Sequence, residues 1–193
     1  MESLPINAVL VVIDVQSGFD HPKWGTRNNP EAEANVAKLL EIWRQTLRPV
    51  IHVRHMSLEP DSPLRPGQPG NEFKALAAPL ERERVEEKSV NSAFIGTNLE
   101  QHLRENHWNT VVIVGLTTDH CVSTSARMSG NLGFRTYVVS DATATFNRRG
   151  SDGEDYLAEN VHAYALASLH DEFATVVKTV DVLEACRSAA CAT

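Results

Sequence analysis

Thr110-Val111-Val112-Ile113-Val114-Gly115-Leu116-Thr117-Thr118-Asp119-His120-Cys121-Val122 passes from an unbroken apolar run through a glycine into polar residues and a cysteine. A run this short, rich in β-branched residues and closed by a turn signal, reads as a strand covered on both faces, the setting of a parallel sheet's interior. Beyond it, from about Asp119 to Leu132 with Gly133 as the stop, the pattern is helical. Ala8-Val9-Leu10-Val11-Val12-Ile13 repeats the strand signal and ends on Asp14, while Arg84-Val85-Glu86-Glu87 ends on Lys88. In an open parallel sheet, chemistry collects beyond the carboxyl ends of the strands. Three such ends in this chain carry a carboxylate, an ammonium and a thiol.

Strand and helix patterns alternate along the remainder. Pro30 to Leu47 carries Val36, Leu39, Leu40 and Trp43 at helical spacing, and Pro49 introduces a second strand, Val50 to Arg54. Pro60, Pro63, Pro66, Pro69 and Pro79, with Gly67 and Gly70, then break any long helix. This stretch predicts a long loop with at most one short helix around Glu72 to Ala78, and its length marks it as a lid over the site. Thr97 to Asn106 reads as a helix, Thr136 to Ser140 as strand five, Asp152 to Leu169 as a helix burying Val161, Tyr164, Ala165 and Leu169, and Ala174 to Lys178 as strand six. The order predicts an α/β fold of three layers, a parallel sheet with helices on both faces. No repeat or linker interrupts the 193 residues, which read as one domain, 1–193.

A net charge of −7 argues against nucleic acid or an anionic membrane as partner. No apolar stretch approaches the roughly 20 residues that span a bilayer, and Met1-Glu2-Ser3-Leu4-Pro5 lacks the basic start of a secretory signal. The three cysteines, Cys121, Cys186 and Cys191, are odd in number and irregularly spaced, so a disulfide framework is not expected and a cytoplasmic setting is. Cys186 and Cys191 read as incidental members of a small-residue tail.

Cysteine chemistry runs through the thiolate, which a helix amino terminus and nearby cations favour. Cys121 falls in the first turn of its helix, so a lowered pKa is expected, and the same backbone amides suit a developing oxyanion. Asp14 is a candidate base for the thiol proton, and Lys88 a candidate cation beside it. Each has a plainer reading: a buried small hydrophobe, a turn residue, and a solvated lysine following two acids.

Val12-Ile13-Asp14-Val15-Gln16, Lys88-Ser89-Val90-Asn91-Ser92-Ala93-Phe94-Ile95-Gly96-Thr97 and Val114 to Val122 together resemble the isochorismatase-like cysteine hydrolase superfamily. Ser140-Asp141-Ala142-Thr143-Ala144-Thr145-Phe146 and Ala167-Ser168-Leu169-His170-Asp171-Glu172-Phe173-Ala174 extend the resemblance over nearly the whole chain. It implies a six-stranded parallel sheet in the order 3-2-1-4-5-6 and an Asp14–Lys88–Cys121 triad. It also implies a cis peptide at Leu116–Thr117, an oxyanion hole from the Thr117 and Cys121 amides, and assembly into a homo-oligomer, dimer or tetramer. The reaction implied is hydrolysis of a small amide, ureido or carbamoyl compound through an acyl-enzyme, without a cofactor.

One branch of that superfamily, the nicotinamidases, holds a metal through an Asp-x-His pair after strand two. Arg54-His55-Met56-Ser57-Leu58-Glu59-Pro60-Asp61 has none, and His21, His52 and His55 are scattered, so no site metal is expected. Phe19, Trp24, His55, Phe94 and Phe146 follow strands one, two, three and five and are pocket candidates, with core packing as the alternative. Arg54, Arg148 and Arg149 are candidates for a substrate carboxylate, although such arginines are more often surface or subunit-contact residues. Rival classes fare less well. Isochorismatases proper cleave an enol ether and do not require the cysteine. Aspartyl-phosphate phosphatases need Asp-x-Asp where Gln16 stands, and no Gly-x-Gly-x-x-Gly supports a dinucleotide site. A non-catalytic binding protein of the same fold would not need all three side chains.

Overall fold

Every residue of Val9–Ile13 (β1) and Thr110–Leu116 (β4) is buried, and the two strands run parallel with Ile13 opposite Gly115. The computed structural model describes residues 4–190; residues 1–3 and 191–193, Cys191 among them, lie outside that range. Val50–His55 (β2) pairs with β1, and Arg84–Lys88 (β3) with β2. Arg135–Ala144 (β5) lies on the other side of β4, and its register shifts where Ile113 gives way to Gly115. Arg148–Arg149 (β6) and Asp155–Tyr156 (β7) form a separate antiparallel hairpin, and Thr175–Val177 (β8) closes the sheet beside β5. With the hairpin set aside, β3-β2-β1-β4-β5-β8 is the 3-2-1-4-5-6 order that the resemblance implied. The winding reverses between β1 and β4, the point beyond whose strand carboxyl ends open α/β sheets place their sites.

Side chains of a strand alternate between its faces, and the two cores follow that alternation. Leu10, Val12, Val112 and Val114 pack against Ala32–Gln45 (α1) through Val36, Leu39, Leu40 and Trp43. Val9, Val11, Ile13, Val111 and Ile113 pack on the other face, against Leu99 and Leu103 of Leu99–Glu105 (α2) and Ala126 of Ser123–Asn131 (α3). Each fully buried aliphatic side chain stabilises the fold by about 1.5–3 kcal/mol. Trp43 adds a directional tie: its indole N–H donates to Ala8 O at 3.0 Å.

Five sequence expectations change. The tail is a helix, Thr179–Ala190 (α5), started by Asp141, which accepts from the Thr179 amide and hydroxyl at 2.8 Å each. Cys186 on that helix is fully buried in the α1-side core rather than incidental. The expected helix from Asp152 begins only at Ala158 (Ala158–Ala167, α4), because the turn between β6 and β7 takes Gly153 at φ 85°. On α4 Ala158 and Leu166 are buried, and Leu169 just beyond it is buried as expected, whereas Tyr164 stands 69% exposed. Instead of one short helix at Glu72 to Ala78, the long loop has two 3-10 turns, Pro69–Asn71 and Ala75–Ala77, and it is anchored by buried Leu64, Asn71 and Ala77. Among the described residues no helix is long and apolar enough to cross a membrane.

Two carboxylates tie this frame together. Glu33 accepts from Arg27 at 2.7 and 2.9 Å and from Lys74 at 2.7 Å. Glu83 accepts from Arg44 at 2.8 Å, pairs with the fully buried His52 at 2.9 Å and accepts from the Leu80 amide. Burial pushes both carboxyls up, but these partners outweigh it and hold each at about 2 against an ordinary 4.5. A folded pKa below the unfolded one gives stability that is fully present above 4.5 and lost as pH falls toward 2. The urea midpoint is therefore expected to drop across that window. Glu83→Gln should lower it at pH 7 and flatten the acid slope; an unchanged acid slope in the variant would contradict this.

Candidate active site

Asp14 leaves β1 with φ at 50°, a left-handed conformation that Asp tolerates better than branched residues. Its amide donates to Val53 O at 2.9 Å, which holds the turn against β2. Lys88 is the last residue of β3 and lies beside His55 in the ladder. Cys121 sits in a π-turn, Thr118–Val122, between β4 and α3, where a wide turn opens the helix start. The peptide bond between Leu116 and Thr117 is cis.

These three remote positions meet. Lys88 Nζ donates to Asp14 Oδ2 at 2.6 Å and to Cys121 Sγ at 3.3 Å. Both charged side chains are fully buried, and Cys121 is 7% exposed. Asp14 Oδ1 is buried with no hydrogen-bond partner among the described residues, which leaves one carboxylate oxygen open as an acceptor. Asn91 lies beyond the sulfur, its Oδ1 3.8 Å from Sγ.

The expected lowering of the Cys121 pKa is reversed. Burial, and then the neighbouring Asp14 carboxylate, push the thiol well above the ordinary range, and Lys88 offsets only part of that. Proximity to a helix start is outweighed by removal from water and a nearby anion. The resting group is a thiol whose proton needs a base. For Lys88, burial favours the neutral amine, but the Asp14 carboxylate outweighs it and holds the ammonium above its ordinary pKa, and Cys121 adds to this when it is a thiolate.

Among the described residues one group of potential metal ligands converges: Asp14, His55 and Cys121, with donor atoms within 4.8 Å of one another. Lys88 Nζ lies among them, at 2.6, 3.1 and 3.3 Å. A metal ion would compete with the ammonium for the same three atoms. The donor set fits a lysine cage better than a metal site.

Of the pocket candidates, His55 is the one bonded to this cluster. Phe19, Trp24 and Phe146 gather into one aromatic group, with ring centroids 5.3 to 6.1 Å apart, in the α1-side core. Phe94 stacks on Phe134 at 6.1 Å in the opposite core, which also contains Cys121. Arg54 spends its guanidinium on the Phe73 ring at 4.7 Å and on Glu87 at 3.8 Å. Arg149 pairs with Asp155 in the exposed hairpin. Arg148 instead clamps the turn that carries Cys121, since its Nε donates to Asp119 Oδ2 at 2.7 Å and its Nη2 to Thr117 Oγ1 at 3.4 Å. Thr145 also donates to Asp119, and His162 bonds Thr118 Oγ1 at 2.8 Å. A cavity of about 590 Å³ lies elsewhere, at the amino ends of β2 and β3, and touches none of these residues.

Sequence reasoning missed Gln16 as a tie between strands. Its amide accepts from His55 N at 2.8 Å and donates to His55 O at 3.1 Å and Asn71 O at 2.8 Å. Its place two residues beyond Asp14 was the available signal. The Asp119–Arg148 pair and Asn91 carried no spacing pattern that would have found them.

The family model for the isochorismatase domain matches residues 8–181, nearly the whole described chain. The chain belongs to the isochorismatase family. This isochorismatase-family hydrolase is 51% identical to the uncharacterized family protein YrdC of Bacillus subtilis, over 88% of this chain and 91% of that one. A solved isochorismatase-family structure from Chromobacterium violaceum is 42% identical, with a TM-score of 0.94 and 97% of each chain covered. N-carbamoylsarcosine amidase from Thermoplasma acidophilum is 28% identical, with a TM-score of 0.71, over 90% of this chain and 96% of that one.

Proposed function

We propose that this protein is a cysteine hydrolase that cleaves a small amide, ureido or carbamoyl C–N bond through an acyl-enzyme on Cys121. The observation that carries the reading is Lys88 Nζ bridging Asp14 Oδ2 and Cys121 Sγ inside a buried cluster. Asp14 takes the thiol proton as sulfur adds to the substrate carbonyl, and the Thr117 and Cys121 amides receive the oxyanion. Collapse breaks the C–N bond, and the proton on Asp14 passes to the departing ammonia or amine. Water, deprotonated by Asp14, then adds to the thioester and frees the acid with the thiol restored. Lys88 stays charged throughout and offsets the negative charge that moves between oxygen and sulfur.

Cys121, at 7% exposed, suits a small-molecule substrate rather than a macromolecular one. The similarity to N-carbamoylsarcosine amidase supports carbonyl–nitrogen chemistry. The missing Asp-x-His after β2 weighs against nicotinamide as first choice. The test is ammonia release from a panel of amides, ureides and carbamoyl amino acids, with and without chelator. Chelator-insensitive release that iodoacetamide abolishes by alkylating Cys121 is expected. Turnover that survives complete Cys121 alkylation would refute the reading.

A further inference from the structure

An ammonium has three N–H donors, and Lys88 has three acceptors around it: Asp14 Oδ2 at 2.6 Å, His55 Nδ1 at 3.1 Å and Cys121 Sγ at 3.3 Å. Two of these belong to the proposed chemistry. The third, His55, takes no step in it.

We propose that His55 is a positioning residue: its neutral Nδ1 is the third acceptor that fixes the Lys88 ammonium so that the other two N–H groups point at Asp14 and Cys121. The inference rests on the cysteine-hydrolase reading and adds a residue to it. Two further features support it. His55 is fastened at its backbone rather than merely packed, because Gln16 grips its N–H and carbonyl, at 2.8 and 3.1 Å, and Asn71 Nδ2 donates to the same carbonyl at 2.8 Å. The imidazole is also kept neutral. Burial and then the Lys88 charge hold its pKa below the ordinary value, against the pull of Asp14. A neutral ring facing an ammonium presents a lone pair at Nδ1, which assigns its hydrogen to Nε2. The charged or titratable groups that face it are Asp14 from β1, Lys88 from β3 and Cys121 from the π-turn.

Without that acceptor, a buried N–H is left unsatisfied and the ammonium turns to find another partner. Asn at this position retains an oxygen near the place of Nδ1 and does not titrate, whereas Leu fills space and accepts nothing. The probe is iodoacetamide, with alkylation at Cys121 followed by peptide mass spectrometry from pH 5 to 9 in the wild-type protein and in His55→Leu, His55→Asn and Lys88→Ala, each checked to be folded at the assay temperature by a cooperative melting transition above it. His55→Leu is expected to slow alkylation at pH 7.5 about 10- to 100-fold, the range for a lost hydrogen bond to a charged group, and to shift the profile toward higher pH. His55→Asn should restore most of the rate. A wild-type profile in His55→Leu, with Lys88→Ala displaced, overturns the inference and leaves the parent reading standing. A wild-type profile in both overturns the two together. Slowing of His55→Leu and His55→Asn alike assigns His55 a packing role and also overturns it.

Discussion

Cys121→Ala is expected to abolish turnover, a loss of about 10⁴-fold or more, in a protein that keeps its circular dichroism spectrum and its melting transition. The size follows from the role proposed: without the nucleophile there is no acyl-enzyme, and only residual binding and oxyanion stabilisation remain. Asp14→Asn should be nearly as severe. The Cys121 thiol is held well above its ordinary pKa, so at neutral pH sulfur reaches the anionic form only when a base takes the proton. Lys88→Ala should also lose activity, but it should destabilise the fold as well. It leaves the Asp14 carboxylate, which is fully buried, without its cation, and breaking a buried pair on one side costs about 3–5 kcal/mol. Activity assays beside urea unfolding of the three variants separate these effects. Full activity in Cys121→Ala would remove sulfur from the reaction and favour the enol-ether type of hydrolysis.

The strands at the sheet's centre were legible because β1 and β4 are unbroken apolar runs, and a strand covered on both faces leaves that mark. The convergence of Asp14, Lys88 and Cys121 was legible through the strand-end rule and the resemblance together. Helix α5 was not, since alanine, serine and cysteine give little periodic contrast, although Val182, Ala185 and Cys186 mark its inward stripe. The glycine turn at Gly153 and β7 were hidden inside what looked like the start of α4, because that turn outweighs the helical spacing beyond it. The thiol's pKa was misread for a physical reason. Sequence shows that a cysteine opens a helix, but it does not show how far water is excluded or which anion sits beside the sulfur. His55 falls under the same limit: its position at the carboxyl end of the second strand suggested a pocket wall, whereas its Nδ1 meets Lys88.

Gly115→Ala should be the most damaging single substitution in the sheet. Gly115 stands on β4 opposite Ile13 of β1 with φ at 115°. A Cβ there would lie 1.9 Å from Ile13 O, 2.8 Å from Ile13 C and 2.9 Å from Ile13 N. All three atoms are backbone at the centre of the sheet, so no side chain can swing aside, and relief requires the two strands to separate. We expect a loss beyond about 4 kcal/mol, in the range of the severest single substitutions, read as failure to recover folded protein or as collapse of the melting transition. Gly133→Ala is the control. Its φ is 85° but nothing lies within 4 Å of the added carbon, so it carries backbone strain alone, about 1–3 kcal/mol. The contrast matters for function because Ile13 precedes Asp14 and Gly115 leads through Leu116 and Thr117 to Cys121. The close approach at Gly115 draws the acid and the sulfur toward one ammonium, and strands that splay there would separate them. If folded Gly115→Ala is recovered, its Cys121 should therefore lose the wild-type pH profile of alkylation. A Gly115→Ala protein that melts like the wild type and reacts like it would show that the strands part without consequence, against the geometry described.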